Sequence, residues 1–151
     1  VELTLRPWAM RDANELRPLL DDPEVRTWTR ALAPRDWIRS QAVEGRHGFA
    51  VVRDGALAGH VALKMPRPFE WEIGYWIAAH ARRQGLASWA VDEATRWGFA
   101  EFAMSEVALI HNVDNLGSCG VARRCGYLLA EELPPSAGYP LPGHRHVRTL
   151  A

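Results

Sequence analysis

At 151 residues the chain has the length of one domain and can bury a core without disulfide or metal staples. Its 18 basic and 18 acidic residues cancel, which excludes the basic excess of a general nucleic-acid or membrane-surface binder. Only Lys64 among the basic residues is a lysine, and the arginines are spread along the whole chain, as genomic composition bias would place them.

In chain order, residues 3–5 alternate like a strand and stop at Arg6-Pro7. Asp12 can cap a helix that carries Leu16, Leu19 and Leu20 at helical spacing. Asp21-Asp22-Pro23 ends it, and Pro23 opens a short helix through Trp28. Residues 34–44 read as a further helix, with Trp37, Ile38 and Ala42 turned inward. Residues 49–53 and 57–65 form a hairpin about the turn Asp54-Gly55. After a turn bracketed by Pro66 and Pro68, residues 71–77 form an apolar and aromatic strand. The spacing predicts a long helix over 86–102, where Ala90, Ala94 and Gly98 make a small stripe that lets it lie close to a sheet. A short buried strand follows at 107–110, then a helix over 116–125 ended by Gly126 in a left-handed cap. Strands at 127–133 and 146–150 close the chain, with the Pro- and Gly-rich loop 134–143 between them. The sum is a mixed α/β sheet of about seven strands with helices on both faces.

The most informative run is Arg82-Arg83-Gln84-Gly85-Leu86-Ala87, where a buried strand hands over to the long helix. Such a junction aims several backbone N–H groups at one spot, and the helix dipole adds partial positive charge there. Gly85 lets a bulky anion approach, and Ala87 keeps the first turn small. The run lacks the Gly-Lys-Ser/Thr ending of a P-loop and the three spaced glycines of a dinucleotide fingerprint. A second cluster, Asn112-Val113-Asp114-Asn115-Leu116-Gly117-Ser118, opens the next helix directly after a buried strand and leads to Cys125-Gly126-Tyr127. Read alone, Asn115-x-x-Ser118 is equally an N-cap. Gly74, inside the aromatic strand, marks a bulge or a close ligand approach.

Together these residues resemble the GNAT superfamily of N-acetyltransferases, and within it the RimJ/RimL-type branch, over essentially the whole chain. Arg-x-x-Gly-x-Ala is similar to the acyl-CoA loop of that superfamily. Asn115-x-x-Ser118 followed by Gly126-Tyr127 resembles the branch, as do Leu5-Arg6-Pro7 with Asp12-Ala13 and Leu16, and Glu72-Ile73-Gly74-Tyr75-Trp76-Ile77. The resemblance implies the GNAT acyl-CoA N-acyltransferase fold in one domain over 1–151, with mostly antiparallel strands splayed at a cofactor cleft. It implies acetyl-CoA as cosubstrate and direct transfer to a primary amine. The pantetheine arm is then expected along the edge of Tyr75, Trp76 and Ile77. The pyrophosphate is expected on the amides of Arg83, Gln84, Gly85, Leu86, Ala87 and Ser88. Arg82 and Arg83 add charge there or stay solvated.

Glu72 is the candidate base, through water, with Glu70 as its neighbour on the same strand face. A tyrosine acid found in many of these enzymes falls at Ala122, so Ser118 is the remaining protic group beside Asn115. Trp28 and Trp37 lie in the helices that shape the acceptor side of the family, and loop 134–143 faces them as a second candidate wall. A peptide α-amine, with a pKa of about 7.7–8, suits one uncertain carboxylate base better than a Lys amine near ~10.4. A protein N-terminus is therefore the expected acceptor. A small amine such as an antibiotic or polyamine is the alternative, as is a CoA-binding module without catalysis. A nucleotide-binding regulator is a weaker reading.

Cys119 and Cys125 fit no CxxC redox or zinc spacing and read as reduced thiols. His144 and His146 can share a face of the last strand, but two ligands do not make a zinc site, so no metal is expected. His80 and His111 border the loop and cleft without an assigned role. No run has membrane-spanning length and no leader pattern opens the chain, whose first residue, Val1, reads as a trimmed start. A cytoplasmic protein is expected, without nucleic-acid or membrane partners; a homodimer is left open.

Overall fold

The computed structural model of the chain describes residues 1–29, 32–136 and 140–150. Alternating apolar residues build seven strands: β1 (Leu3–Pro7), β2 (Arg46–Arg53), β3 (Ala56–Arg67), β4 (Glu70–Ile77), β5 (Glu106–Asn112), β6 (Leu128–Leu133) and β7 (Gly143–Thr149). They form one sheet in the order β1-β2-β3-β4-β5-β7-β6. Every neighbouring pair is antiparallel except β4 and β5, which are parallel. The turn Asp54-Gly55 takes φ of 49° and 83°, the left-handed pair that a tight hairpin of right-twisted strands requires.

Helices α1 (Ala13–Leu20), α2 (Pro23–Trp28) and α3 (Pro34–Ser40) cover one face, and α4 (Leu86–Glu101) and α5 (Leu116–Arg124) the other. Leu16, Leu20, Val25, Trp37 and Ile38 pack on Ala50, Leu57 and Trp76 on the first face. Leu86, Ala90, Val91 and Ala94 pack on Val51, Leu63, Ile73 and Leu109 on the second. The small stripe of α4 works as expected: a Cβ at Gly98 would stand 2.6 Å from Leu63 Cδ1. No described helix is long and apolar enough to cross a membrane.

Several local expectations are corrected. Asp12 precedes α1 but does not cap it; its carboxylate takes two Arg6 N–H bonds at 2.8 Å and the Ala9 amide at 2.8 Å. A charge-assisted bidentate partner outcompetes a cap for the same oxygens. The third helix ends at Ser40, leaving Ala42 exposed, because Gln41 folds back to hydrogen-bond the Trp37 carbonyl. β7 begins at Gly143, earlier than expected, since Gly143 still pairs with Asn112 and Leu133. Loop 134–143 is described only in part, with residues 137–139 outside the described set.

Candidate active site

The pairing between β4 and β5 stops early. Only Glu72 with Ala108 and Ile73 with Leu109 are in register, although both strands continue. Residues 74–77 keep their ladder to β3 alone. The Ala78 amide donates to the Ala58 carbonyl at 2.8 Å, so by antiparallel alternation the Tyr75 and Ile77 amides point away from β3, into the gap. Gly74 is not a bulge: the β3–β4 register runs unbroken through it, and a Cβ there would meet only Lys64 Nζ, at 3.9 Å. The irregularity lies instead between Lys64 and Arg67, next to the hairpin end.

At the end of the gap stands the N-terminus of α4. Gly85 caps it with φ 77° and ψ 8°, and Arg83 is also left-handed at φ 61°. A Cβ on Gly85 would meet nothing within 4 Å, so the glycine keeps an open approach and supplies the backbone turn. The Arg82 side chain is engaged behind this opening. Its Nε donates to the Ile77 carbonyl at 3.1 Å, and its two terminal nitrogens reach Asp22 at 3.0 Å and Glu24 at 2.9 Å. It ties the loop to the start of α2, and its guanidinium holds the Asp22 carboxyl below the usual carboxylate range. Gln84 is likewise engaged, by Arg53, whereas Arg83 is exposed. A different cation takes up position: Arg124, at the end of α5, donates to Ser88 Oγ at 2.9 Å. Sequence reading missed it because the contact joins residues 36 positions apart in two helices.

On the α4/α5 face, Tyr75 Oη and Ser118 Oγ are 2.6 Å apart. Asn115 caps α5, its Oδ1 accepting the Ser118 amide at 3.1 Å, so the N-cap reading describes this side-chain oxygen. The cap fixes the first turn and thereby the place of Ser118. Burial pushes the Tyr75 hydroxyl up from its ordinary pKa, against the pull of the Ser118 hydrogen bond, so it stays protonated at neutral pH. Sequence reading used only the backbone of Tyr75; strand alternation, which puts it opposite to Glu72 and Trp76, was the signal available. Ala122 is fully buried in the core.

On the other face a cavity of about 430 Å³ is lined by Trp37, Gln41, His60, Lys64, Tyr75 and Trp76, among others. Trp37 is buried and meets Trp8 edge-on at 5.0 Å. Trp8 Nε1 donates to His60 Nδ1 at 3.0 Å. Burial, with Arg46 and Lys64 nearby, pushes the His60 pKa down to about 3, so the ring is neutral. Trp76 Nε1 is buried without a hydrogen-bond partner among the described residues. Glu72 is half-buried and directly opposite Lys64 in the β3–β4 register. Burial lowers the Lys64 pKa, against the opposing effect of the Glu72 charge. Glu70, the rival base, is exposed at the hairpin end and paired with Arg67 at 3.0 Å. The Trp28 side chain lies outside the described residues.

The chain is similar to known proteins in sequence and fold. Over 145 residues, covering 83% of this chain and 78% of the relative, the chain is 30% identical to the "Putative ribosomal N-acetyltransferase YdaF" of Bacillus subtilis (strain 168). Its fold matches that of RimL, a ribosomal L7/L12 alpha-N-protein acetyltransferase solved in complex with coenzyme A, with a TM-score of 0.86, 17% identity and coverage of 98% and 94% of the two chains. It also matches spermidine N-acetyltransferase from Vibrio cholerae, solved with CoA and spermine, with a TM-score of 0.81, 18% identity and coverage of 97% and 95%. Residues 2–128 match the acetyltransferase (GNAT) domain family. A parted parallel strand pair, a glycine-capped helix at its mouth and this family match agree, and the chain belongs to the GNAT acetyltransferases.

Proposed function

We propose that the chain acts as a single domain, uses acetyl-CoA as its cosubstrate, and acetylates a peptide or protein N-terminal α-amine directly. The observation that carries the reading is the Tyr75–Ser118 hydroxyl pair, 2.6 Å apart beside the parted strands. The Tyr75 and Ile77 amides, which point into the gap, suit the pantetheine carbonyls, and the α4 N-terminus with Ser88 and Arg124 suits the pyrophosphate. Acetyl transfer breaks the thioester C–S bond as the amine nitrogen bonds to the carbonyl carbon. The amine loses a proton, and the departing thiolate gains one. Tyr75, protonated at neutral pH and coupled to Ser118, supplies the second proton. This role replaces the tyrosine missing at Ala122. Glu72, on the cavity side of β4, takes the first proton through water.

The acceptor enters from the tryptophan-lined cavity. The described residues that line it carry two cations, Arg46 and Lys64, and the carboxylate that reaches it through water is Glu72, the base; this balance disfavours a polycationic amine and favours a peptide end. Trp76 Nε1 offers a buried donor for an acceptor carbonyl. A cytoplasmic setting belongs to the same proposal.

The test is thiol release from acetyl-CoA across peptides with free N-termini, polyamines and aminoglycosides. Peptides should turn over fastest. A preference for spermine would reverse the acceptor assignment, and binding of CoA without any turnover would leave a binding module. Under the best acceptor, Glu72→Gln should lower kcat chiefly at low pH, where the amine needs its base.

A further inference from the structure

We propose that the chain holds a tetrahedral Zn²⁺ ion between β5, β7 and α5, ligated by His111, His144, His146 and Cys119. His111 and His144 are directly opposite each other in the β5–β7 register, and His146 follows two residues on, on the same face of β7. Cys119, in the first turns of α5, completes the group from above the sheet. One ligand atom from each of the four lies within 4.8 Å of every other. A tetrahedral site with Zn–N near 2.0–2.1 Å and Zn–S near 2.3 Å needs ligand separations of about 3.3–3.6 Å. The two Nε2 atoms of His111 and His146 are already 3.0 Å apart, and side-chain rotations on the order of 1 Å close the rest.

Protons alone wire this cluster poorly. His111 Nδ1 lies 2.6 Å from the Asn112 carbonyl and donates to it, which leaves His111 Nε2 as a lone pair aimed into the group. His146 must then give its Nε2 proton to that lone pair, and its buried Nδ1 has no hydrogen-bond partner among the described residues. His144 Nδ1 is also buried without a hydrogen-bond partner among the described residues. Buried polar atoms are rarely left so, and a cation accepts every lone pair at once. The outer partners fit as well. The Asn112 carbonyl fixes the His111 tautomer, and Glu132 lies 3.6 Å from His144 Nε2, where it can take that N–H if Nδ1 binds the metal. Three imidazoles and a thiolate in a closed set suit Zn²⁺, whereas Mg²⁺ and Ca²⁺ require oxygen. The site lies beside the acetyl-transfer residues, since Cys119 follows Ser118, and it would pin the turn that presents that hydroxyl.

The experiment uses the untagged chain, stripped with chelator and titrated with Co²⁺ followed by Zn²⁺. One equivalent of Co²⁺ per chain is expected, with intense tetrahedral visible bands and a thiolate-to-cobalt charge-transfer band that Zn²⁺ abolishes. Cys119 is only half-buried, so Cys119→Ser should fold, lose the charge-transfer band and bind Zn²⁺ more weakly by over ~100-fold, more than the loss of an outer partner costs. His144→Ala should weaken binding comparably, and a given Zn²⁺ concentration should raise the melting temperature of wild type more than that of either variant. Binding well below one equivalent, a spectrum of the hydrated ion, or an unchanged band in Cys119→Ser would each overturn the assignment.

Discussion

The two sides of β4 are built by different means. On the α4/α5 side the opening proposed for a phosphate is mostly backbone: a left-handed Gly85, a helix terminus and a strand edge released by the parting of β5. On the α1–α3 side the cavity is mostly side chain, with Trp37 from α3, His60 and Lys64 from β3, and Trp76 from β4. Recognition through backbone needs a contiguous run of residues with set conformations, so it leaves a motif. Recognition through side chains needs only that distant residues meet, so a cavity can change its acceptor while the cofactor side stays fixed.

The largest expected effect lies on the backbone-built side. Tyr75→Phe keeps the ring and removes the hydroxyl that meets Ser118, so kcat should fall by about 100-fold with acetyl-CoA affinity unchanged. Steady-state rates with calorimetry check this, and an unaltered kcat removes Tyr75 from the chemistry. Gly85→Glu comes next. Its Cβ would enter open space, so the protein should fold despite the strain of φ 77° and lose more than about tenfold in acetyl-CoA affinity by calorimetry. Retained affinity in a folded variant would mean that the cofactor phosphates sit elsewhere.

On the side-chain-built face, Trp76→Phe removes the unpartnered Nε1–H. It should raise the acceptor KM by about three- to tenfold while leaving the acetyl-CoA KM alone, the worth of one hydrogen bond. Equal movement of both constants would erase the distinction between the faces. The remaining prediction concerns stability rather than turnover. His60 is buried neutral, with its pKa pushed from 6.5 to about 3, so below pH 6.5 the unfolded chain takes up a proton that the native ring refuses. The stability held above that pH is therefore lost as pH falls from 6.5 towards 3. His60→Gln should flatten this part of the profile, read as denaturation midpoints at successive pH values; parallel profiles would show that His60 is not the group responsible.

Much of this was legible from the chain. The Asp54-Gly55 turn, the Ala90/Ala94/Gly98 stripe and the Gly85 junction are local: each depends on a few neighbouring residues whose backbone preferences act without outside help. The family-bearing motifs are local for the same reason. What failed were assignments of side-chain partners. Asp12 was expected as a cap and instead holds Arg6; Arg82 was expected to add charge at the loop or stay solvated, and its ion pairs with Asp22 and Glu24 were not foreseen. A charged group takes the best-placed opposite charge, and that is set by which elements pack together.

The sequence by itself determined the order of strands and helices, the anion-ready start of α4 and the protic residue at Ser118, because periodicity and turn chemistry act over a few residues. Only the tertiary structure decided where β4 and β5 part, that the Tyr75 hydroxyl meets Ser118, that Arg124 rather than Arg82 attends the α4 N-terminus, and that His111 and Cys119 join His144 and His146. Each of these joins residues far apart in the chain, and the register and packing that bring them together are properties of the whole sheet.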